Sequence, residues 1–479
     1  MTGDHTLYGG TCPNAPRARA EVCSRPHCVI GSIAMSAAIS RKTLLAYGSL
    51  GFPIAVLGYP MTLFLHPHYA GELGLGLAAI STVLLVSRMV DFVTDPLMGW
   101  ISDHTRTRFG RRKPYLLIGV PVMMLGIWKL FMPEPPVDIW YMLLWNTVVY
   151  LGWTIVVLPY GAWGAELSEN YITRATITAT RQVYTIAGLI GASIVIWIYQ
   201  EWLGRSDPGE VLSGIAWTLL VLLPVSIVVL LLLVPEREVS TPPRQRAWWR
   251  ELSSMLRIGP FRRMVYVALA IVIGEASRHA VLVFFMEDVL QAGDRIGRTF
   301  ILYYLMGVAA IPLWQYLARR YGKHRSLAIA MTHSALMVLA TAFLGAGDYN
   351  TFLVFYVLKG ASFGAFAYLP LAILADVVDV DTAVTRQKRA GLYFAVFGAI
   401  DKIGIATGMF IALQVLNLTG YDPQVDPNAA GLWMIRLEYA VIPTFFFLLA
   451  SFLVWNYPLT SERHARLLAA LERREARAV

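Results

Sequence analysis

Residues 86–96 read VSRMVDFVTDP, with LAAISTVLL running into them and LMGW following. The apolar stretch is long enough to cross a bilayer, yet it carries Arg88, Asp91 and Asp95. A charge at that depth costs at least about 2.5–3.5 kcal/mol, so it is kept where it faces a wet cavity or a partner. Spacings of three and four residues place the three charges within about 60° on one helix face. Arg88 can pair with Asp91. Asp91 and Asp95 form a two-carboxylate site, and such carboxylates repel unless a cation or proton lies between them. A coupling site that fills and empties is one reading of this arrangement. A structural ion pair locking the second span to a neighbour is the other, and for Asp95 the following proline offers a third, the cap of a helix break.

The rest of the chain supports a membrane setting. Its 479 residues are 57% hydrophobic and 15% charged, where a soluble protein carries about 25% charged residues. Apolar blocks lie near 44–65, 75–101, 114–132, 139–165, 176–199 and 211–234, then near 264–286, 297–317, 326–345, 351–375, 391–417 and 431–457. In lipid every backbone N–H and C=O must be paired within its segment, so these blocks are read as helices. The expected fold is all-α, with twelve transmembrane helices in two six-helix bundles.

The net charge of +9 invites a nucleic-acid partner. The positive residues instead gather in alternate loops: Arg106, Arg108, Arg111, Arg112 and Lys113; Arg237 to Arg263; Arg319, Arg320, Lys323 and Arg325; and the tail from Arg463 to Arg477. The other loops offer little beyond Lys129, Arg205 and Arg295. This bias places both termini in the cytoplasm and excludes a nucleic-acid role.

Matching loops reveal a repeat. SDHTRTRFGRRKPYLL after the second span is echoed by LARRYGKHRSLAI after the eighth. AELSENYITRATITATR after the fourth is echoed by ADVVDVDTAVTRQKRAG after the tenth. A parallel repeat of two halves is the organisation of secondary transporters. The chain therefore divides into a disordered extension over 1–42, a bundle over 43–235, a linker over 236–262, a bundle over 263–457 and a cytoplasmic tail over 458–479. CVIGSIAMSAAIS faintly resembles a signal peptide, but a strong span follows at once, and Met35 offers a later start. Cys12, Cys23 and Cys28 show no ligand spacing or disulfide framework. The linker PPRQRAWWRELSSMLRIGP has apolar residues at helical spacing and is read as an amphipathic helix, either on the cytoplasmic leaflet or packed on protein loops.

Further charges fall inside other spans. Lys402 in the eleventh can serve an anionic substrate group or a carboxylate of the other bundle. Glu275, Arg278 and His279 in the seventh allow an internal pair, with a substrate contact as the alternative. Asp103, Arg111 and Glu166 are read as a cytoplasmic gate, together with Asp376 and Asp379 near Arg386, Lys388 and Arg389. The nine histidines do not cluster, no P-loop is present and no nucleophile–base set is visible. An enzyme is not expected.

SRMVDFVTDPLMGWISDHTRTRFGRRKPYLLIG, LPYGAWGAELSENYITRATITATRQ and LADVVDVDTAVTRQKRAGLYFAVFGAIDKIG resemble the glycoside–pentoside–hexuronide:cation symporters. These form the melibiose-permease branch of the major facilitator superfamily, and the resemblance covers about residues 44–457. It implies that Asp91 and Asp95 are cation-binding carboxylates, with Thr94 and Thr154 beside them, Arg88 and Lys402 as coupling charges, and Arg181 as a cavity residue of the fifth span. Arg181, Lys402, Glu275 and Arg278 then line the substrate cavity. An all-oxygen cation set suits Na⁺ or H⁺.

The resemblance departs at the sugar site: the first span reads GSLGFPIAVLGYP without an acid, and Val157 stands where the fourth span of the family has one. The same family includes lysophospholipid symporters with an eleventh-span lysine. The expectation is a Na⁺- or H⁺-coupled symporter of a small glycoside-like solute. The alternatives are an amphiphilic or lysophospholipid-like anion, or an uncoupled uniporter or receptor. No cofactor beyond the coupling ion is expected. The setting would be the inner membrane of a bacterium, with membrane lipid and solute as partners and a monomeric state.

Overall fold

The computed structural model describes residues 39–459 apart from 169, 237–247, 386–388, 426 and 428, and beyond 459 it describes 463 and 466. The N-terminal extension to residue 38, the side chains of Trp248 and Trp249, Arg386, Lys388 and most of the tail lie outside the described residues. Among the described residues the ordered elements are helices, with one isolated bridge between Thr107 and Gly110.

Eleven helices are long and apolar enough to span a bilayer. Those of the first half are Arg41–Leu63, Leu77–His104, Lys113–Phe131, Ile139–Glu166, Thr173–Trp202 and Pro208–Leu233. The second half begins with Gly259–Val289 and continues, after the eighth span, with Lys323–Phe343, Tyr349–Ala383, Ala390–Leu418 and Ala429–Trp455. The eighth span is a pair, Gly293–Ala309 and Ile311–Tyr321, bent by 41°. Pro312 explains the bend, because it lacks the N–H that would continue the ladder and its ring crowds the preceding turn. With the bent pair taken as one span, the described residues give twelve, the number expected.

Packing repeats across the halves. The first span packs on the fifth and sixth, the second on the fourth, and the third on the fourth and sixth. The seventh packs on the eleventh and twelfth, the eighth on the tenth, and the ninth on the tenth and twelfth. Each pairing recurs six spans later, as a parallel repeat requires. Between the halves, the second span meets the eleventh and the fifth meets the eighth. These two seams are images of one another under the same repeat.

The two halves also share a turn. Gly110 and Gly322 both adopt positive φ, +105° and +87°, where a side chain would be strained. Each turn delivers a basic residue to an acid one element away. The linker helix Trp248–Leu256 is held at its C-terminal end by protein: Met255 is fully buried, and Arg389 donates to Ser254 Oγ at 2.8 Å. Of its two expected settings, that end takes the one packed on protein.

Candidate functional site

The second span runs unbroken through Pro96, so Asp95 does not cap a break. Arg88 donates to Asp91 Oδ2 at 3.2 Å, one turn apart on the same helix. The Arg88 guanidinium also lies over the Tyr150 ring of the fourth span, 4.0 Å from its centre. Lys402, 307 residues farther along the chain, donates to Asp95 Oδ2 at 2.5 Å and lies 3.6 Å from Asp91 Oδ2. Thr154 of the fourth span donates to the other Asp95 oxygen at 2.9 Å. Two cations and two carboxylates thus meet at the seam of the second and eleventh spans.

Their settings differ. Asp91 is 2% exposed, whereas the side chains of Asp95 and Lys402 are 25% and 28% exposed. Asp95 and Lys402 therefore form the wet edge of the group. Thr94 Oγ1 is buried without a hydrogen-bond partner, an orphan oxygen on the turn between the two acids. With both carboxylates, Thr154 and Thr94, the site offers hard oxygen ligands of the kind a small cation takes. Lys402 holds the position such a cation would share.

Space lies below this group. Gly99 and Gly398 each stand one turn from Asp95 and Lys402, toward the basic loops. A Cβ built on either meets no heavy atom within 4 Å. The opposite end is closed across the halves. His66 bonds the carbonyl of Ala280. The Gln200 side chain bonds both Gly293 O and Gly297 N, at 2.8 and 2.9 Å. Gln414 donates to Ser81 Oγ at 3.0 Å. The halves are bonded together at the end remote from the basic loops, and the two glycine positions below the charged seam have open space beside them.

Arg181 does not join the four charges. It lies beside the Tyr47 hydroxyl and Gly161, near the paired rings of Tyr47 and Tyr160. Each of these tyrosine hydroxyls bonds the other residue's carbonyl, at 2.9 and 2.6 Å. This tie between the first and fourth spans carries no charge and no motif, so the sequence did not disclose it.

Glu275 and Arg278 do meet, at 2.9 Å, with His279 accepting from Arg278 at 2.8 Å. Lys359 of the tenth span, unassigned from the sequence, completes the group at 2.5 Å from Glu275. Arg278 is 0% and Lys359 1% exposed.

Asp103, Arg111, Glu166 and Asp376, of the expected gate residues, are paired at the basic-loop end. Arg111 bonds Asp103 at 2.9 Å and lies 3.9 Å from Glu166. Arg112 is the central member: it reaches Asp103 at 2.7 Å, Glu166 at 2.5 Å and Ser102 Oγ at 2.8 Å. Burial opposes its charge, but the bonds to Glu166 and Asp103 outweigh burial and raise its pKa above the ordinary value. Glu236 adds a carboxylate oxygen to the backbone N–H groups of Arg111 and Arg112. In the second half Lys323 holds Asp376 at 2.6 Å, in the place of Arg112 and Glu166. Arg389 pairs with Asp381 at 2.5 Å, an acid the sequence pattern leaves unassigned.

A sequence profile of the family described as MFS/sugar transport protein matches residues 46–461. A glucuronide carrier protein homolog of Escherichia coli (strain K12) is 26% identical over 455 residues, covering 92% of this chain and 97% of that protein. The sodium-dependent lysophosphatidylcholine symporter 1 of Mus musculus is 23% identical over 480 residues, covering 89% and 87%. Among solved structures, an inward-facing, occupied bacterial homolog of the human lysosomal transporter Spinster aligns with a TM-score of 0.63 at 12% identity, covering 88% and 97%. That last likeness is one of fold.

Proposed function

Because the chain belongs to the MFS/sugar transport protein family, we propose that it carries a small, glycoside-like organic solute together with Na⁺ or H⁺ by alternating access. It is a multi-pass membrane transporter and not an enzyme. The observation that carries the coupling is the group of four charges at the seam, in which Lys402 of one half neutralises Asp95 and Asp91 of the other.

Lys402 acts as a tethered stand-in for the coupling ion. While it bonds Asp95, the carboxylates are neutralised and the second and eleventh spans are drawn together. An ion or proton arriving at Asp91 and Asp95, with Thr94 and Thr154 as added oxygen ligands, releases Lys402 and so releases the seam. One positive charge replaces another, so the acids are never left bare in a low-dielectric interior, which would be costly. Arg88 stays with Asp91 throughout and holds its orientation. On this reading the carrier lies in the plasma membrane of a bacterium with both termini in the cytoplasm, which the basic loops favour. The arrangement described is then the inward-open stage.

Transport by proteoliposomes of the full chain tests this, with glycosides, uronides and lysophospholipids as solutes, with and without a Na⁺ or pH gradient. Uptake indifferent to both gradients removes the coupling. Asp91→Cys is expected to abolish concentrative uptake and leave solute exchange partly intact, and concentration that survives the substitution refutes the assignment.

A second reading, an amphiphilic anion as solute, is favoured by the first span. GSLGFPIAVLGYP carries no acid and Val157 none on the fourth span, where a polyhydroxylated solute wants buried acceptors. The mouse lysophosphatidylcholine symporter among the relatives agrees with it.

A further inference from the structure

The seventh-span cluster is unbalanced in charge and in hydrogen bonding. Arg278 and Lys359 are two cations sharing one carboxylate, Glu275. Glu438, also buried, bonds Ser277 at 3.5 Å and reaches neither cation within salt-bridge distance among the described residues. His279 accepts from Arg278 and adds no negative charge.

The hydrogen bonding is incomplete as well. Arg278 Nε is buried without a partner, as is one acceptor of the cluster, Glu438 Oε1, and the hydroxyls of Tyr59 and Tyr356 make no close bond and lie beside Tyr304 and Arg278. These groups neighbour one another: the Arg278 guanidinium lies 5.3 Å from the Tyr356 ring centre and 5.9 Å from that of Tyr439. Lys359 lies 5.1 Å from the ring centre of Tyr303 and donates to its hydroxyl at 3.1 Å.

The cluster sits at the boundary between the halves. Tyr59 comes from the first span and stands edge-on to Tyr304 and His279, at 5.7 and 6.0 Å. Arg278 and Lys359 form the floor, fully buried. Glu275 and His279, 18% and 23% exposed, form the rim. Leaving buried donors unmade costs about 1–3 kcal/mol each, more for charged groups. A guest that brings a negative charge and acceptor oxygens, or a halide, relieves both imbalances together.

We infer that the pocket formed by Arg278, Lys359, Tyr59 and Tyr356 binds a small monoanion, either the charged group of the carried solute or a free ion from solution. Arg278 Nε and the two hydroxyls supply the contacts, Lys359 the second charge, and Tyr59 closes the pocket from the opposite half. Filling it therefore bears on how the halves meet. Insofar as the anion belongs to the solute, the inference rests on the carrier reading above.

The test uses the full chain in detergent and measures binding and thermal unfolding. Methyl β-D-glucuronide and methyl β-D-glucoside share a ring and differ in one carboxylate. Sodium acetate and sodium chloride serve as free anions, with sodium sulfate matching ionic strength. The glucuronide is expected to bind about tenfold tighter than the glucoside, or acetate or chloride to raise the unfolding midpoint where sulfate does not. Either outcome upholds the pocket and names the source of its anion. Tyr59→Phe and Tyr356→Phe keep the rings and remove one hydroxyl each, so the fold is preserved. Each should weaken anion binding about three- to tenfold and leave the glucoside unaffected. No stabilisation by any monoanion, or unchanged anion binding in both variants, overturns the inference. Gradient-driven uptake without anion preference sinks the pocket and spares the carrier reading; anion binding with gradient-independent uptake does the reverse.

Discussion

Replacing Lys402 with Met removes the ammonium 2.5 Å from Asp95 and 3.6 Å from Asp91. Opposite unit charges 4 Å apart attract by about 4 kcal/mol at an effective dielectric of about 20. Side-chain exposures of 28% and 25% place the pair between exposed bridges, worth about 0.2–1 kcal/mol, and buried ones, whose breaking costs about 3–5 kcal/mol. The expected loss is about 2–3 kcal/mol, which moves the equilibrium away from the described arrangement by about 30- to 150-fold. Gly398→Cys provides the reporter, one turn from Lys402 in open space. Its maleimide labelling in ion-free detergent reads how far the passage stands open below the seam. Lys402→Met should slow labelling strongly and Asp95→Asn less so, because Asp91 still faces Lys402. The double variant, which leaves Arg88 with Asp91, should label no more slowly than Lys402→Met alone, because the bridge can be lost only once. Unchanged rates in both single variants, or a double variant slower than either, would show that the bridge does not hold the seam.

Arg112→Ala leaves Asp103, Glu166 and Ser102 short of their central donor and should cost about 3 kcal/mol, read as a lower thermal-unfolding midpoint; an unaltered midpoint means Arg111 suffices. Gly297→Ala would place a Cβ 2.2 Å from the Trp197 nitrogen, so the fifth and eighth spans must part at the closed end. The yield of a short bifunctional cross-linker between cysteines replacing Ser81 and Gln414 should drop, and an equal yield would show that the closure absorbs the methyl group. Burial works against ionised Glu72, but bonds from His68 and the Gly209 N–H prevail and hold its carboxyl below the ordinary value of 4.5. Its contribution is complete above that pH and lost as pH falls through the lower folded value. Glu72→Gln should accordingly flatten the acid limb of the stability curve, and a limb of unchanged shape refutes the role.

The spans, the duplication and the Arg88–Asp91 pair were legible because each rests on local spacing: apolar length, echoed loops and one helical turn. The meeting of Asp95 and Lys402 spans 307 residues, and spacing alone left Lys402 undecided between a solute group and a carboxylate. Lys359 stands out as a charge in the tenth span but takes no role from spacing, because its partner lies 84 residues away on another helix. Arg112 was hidden among neighbouring basic residues; the glycine two positions earlier was the clue, since a fixed turn aims the side chains just beyond it. Arg181, expected in the cavity by likeness, keeps company with tyrosines whose mutual bonds no charge pattern betrays.

The duplicated glycine turn has a corollary. In the first half the turn feeds a clamp in which Arg112, 2% exposed, is gripped by two acids while Glu236 pins the adjoining backbone. In the second it feeds Lys323, whose side chain is 43% exposed and which donates to both oxygens of Asp376 and to the carbonyl of Ala372. Exposed pairs are weak and salt-screened, and buried ones are not. The two glycine turns therefore differ in how far water and salt reach the grip they feed: Arg112 is shielded and Lys323 is not, while the second half keeps its shielded pair, Arg389 with Asp381, one loop farther along.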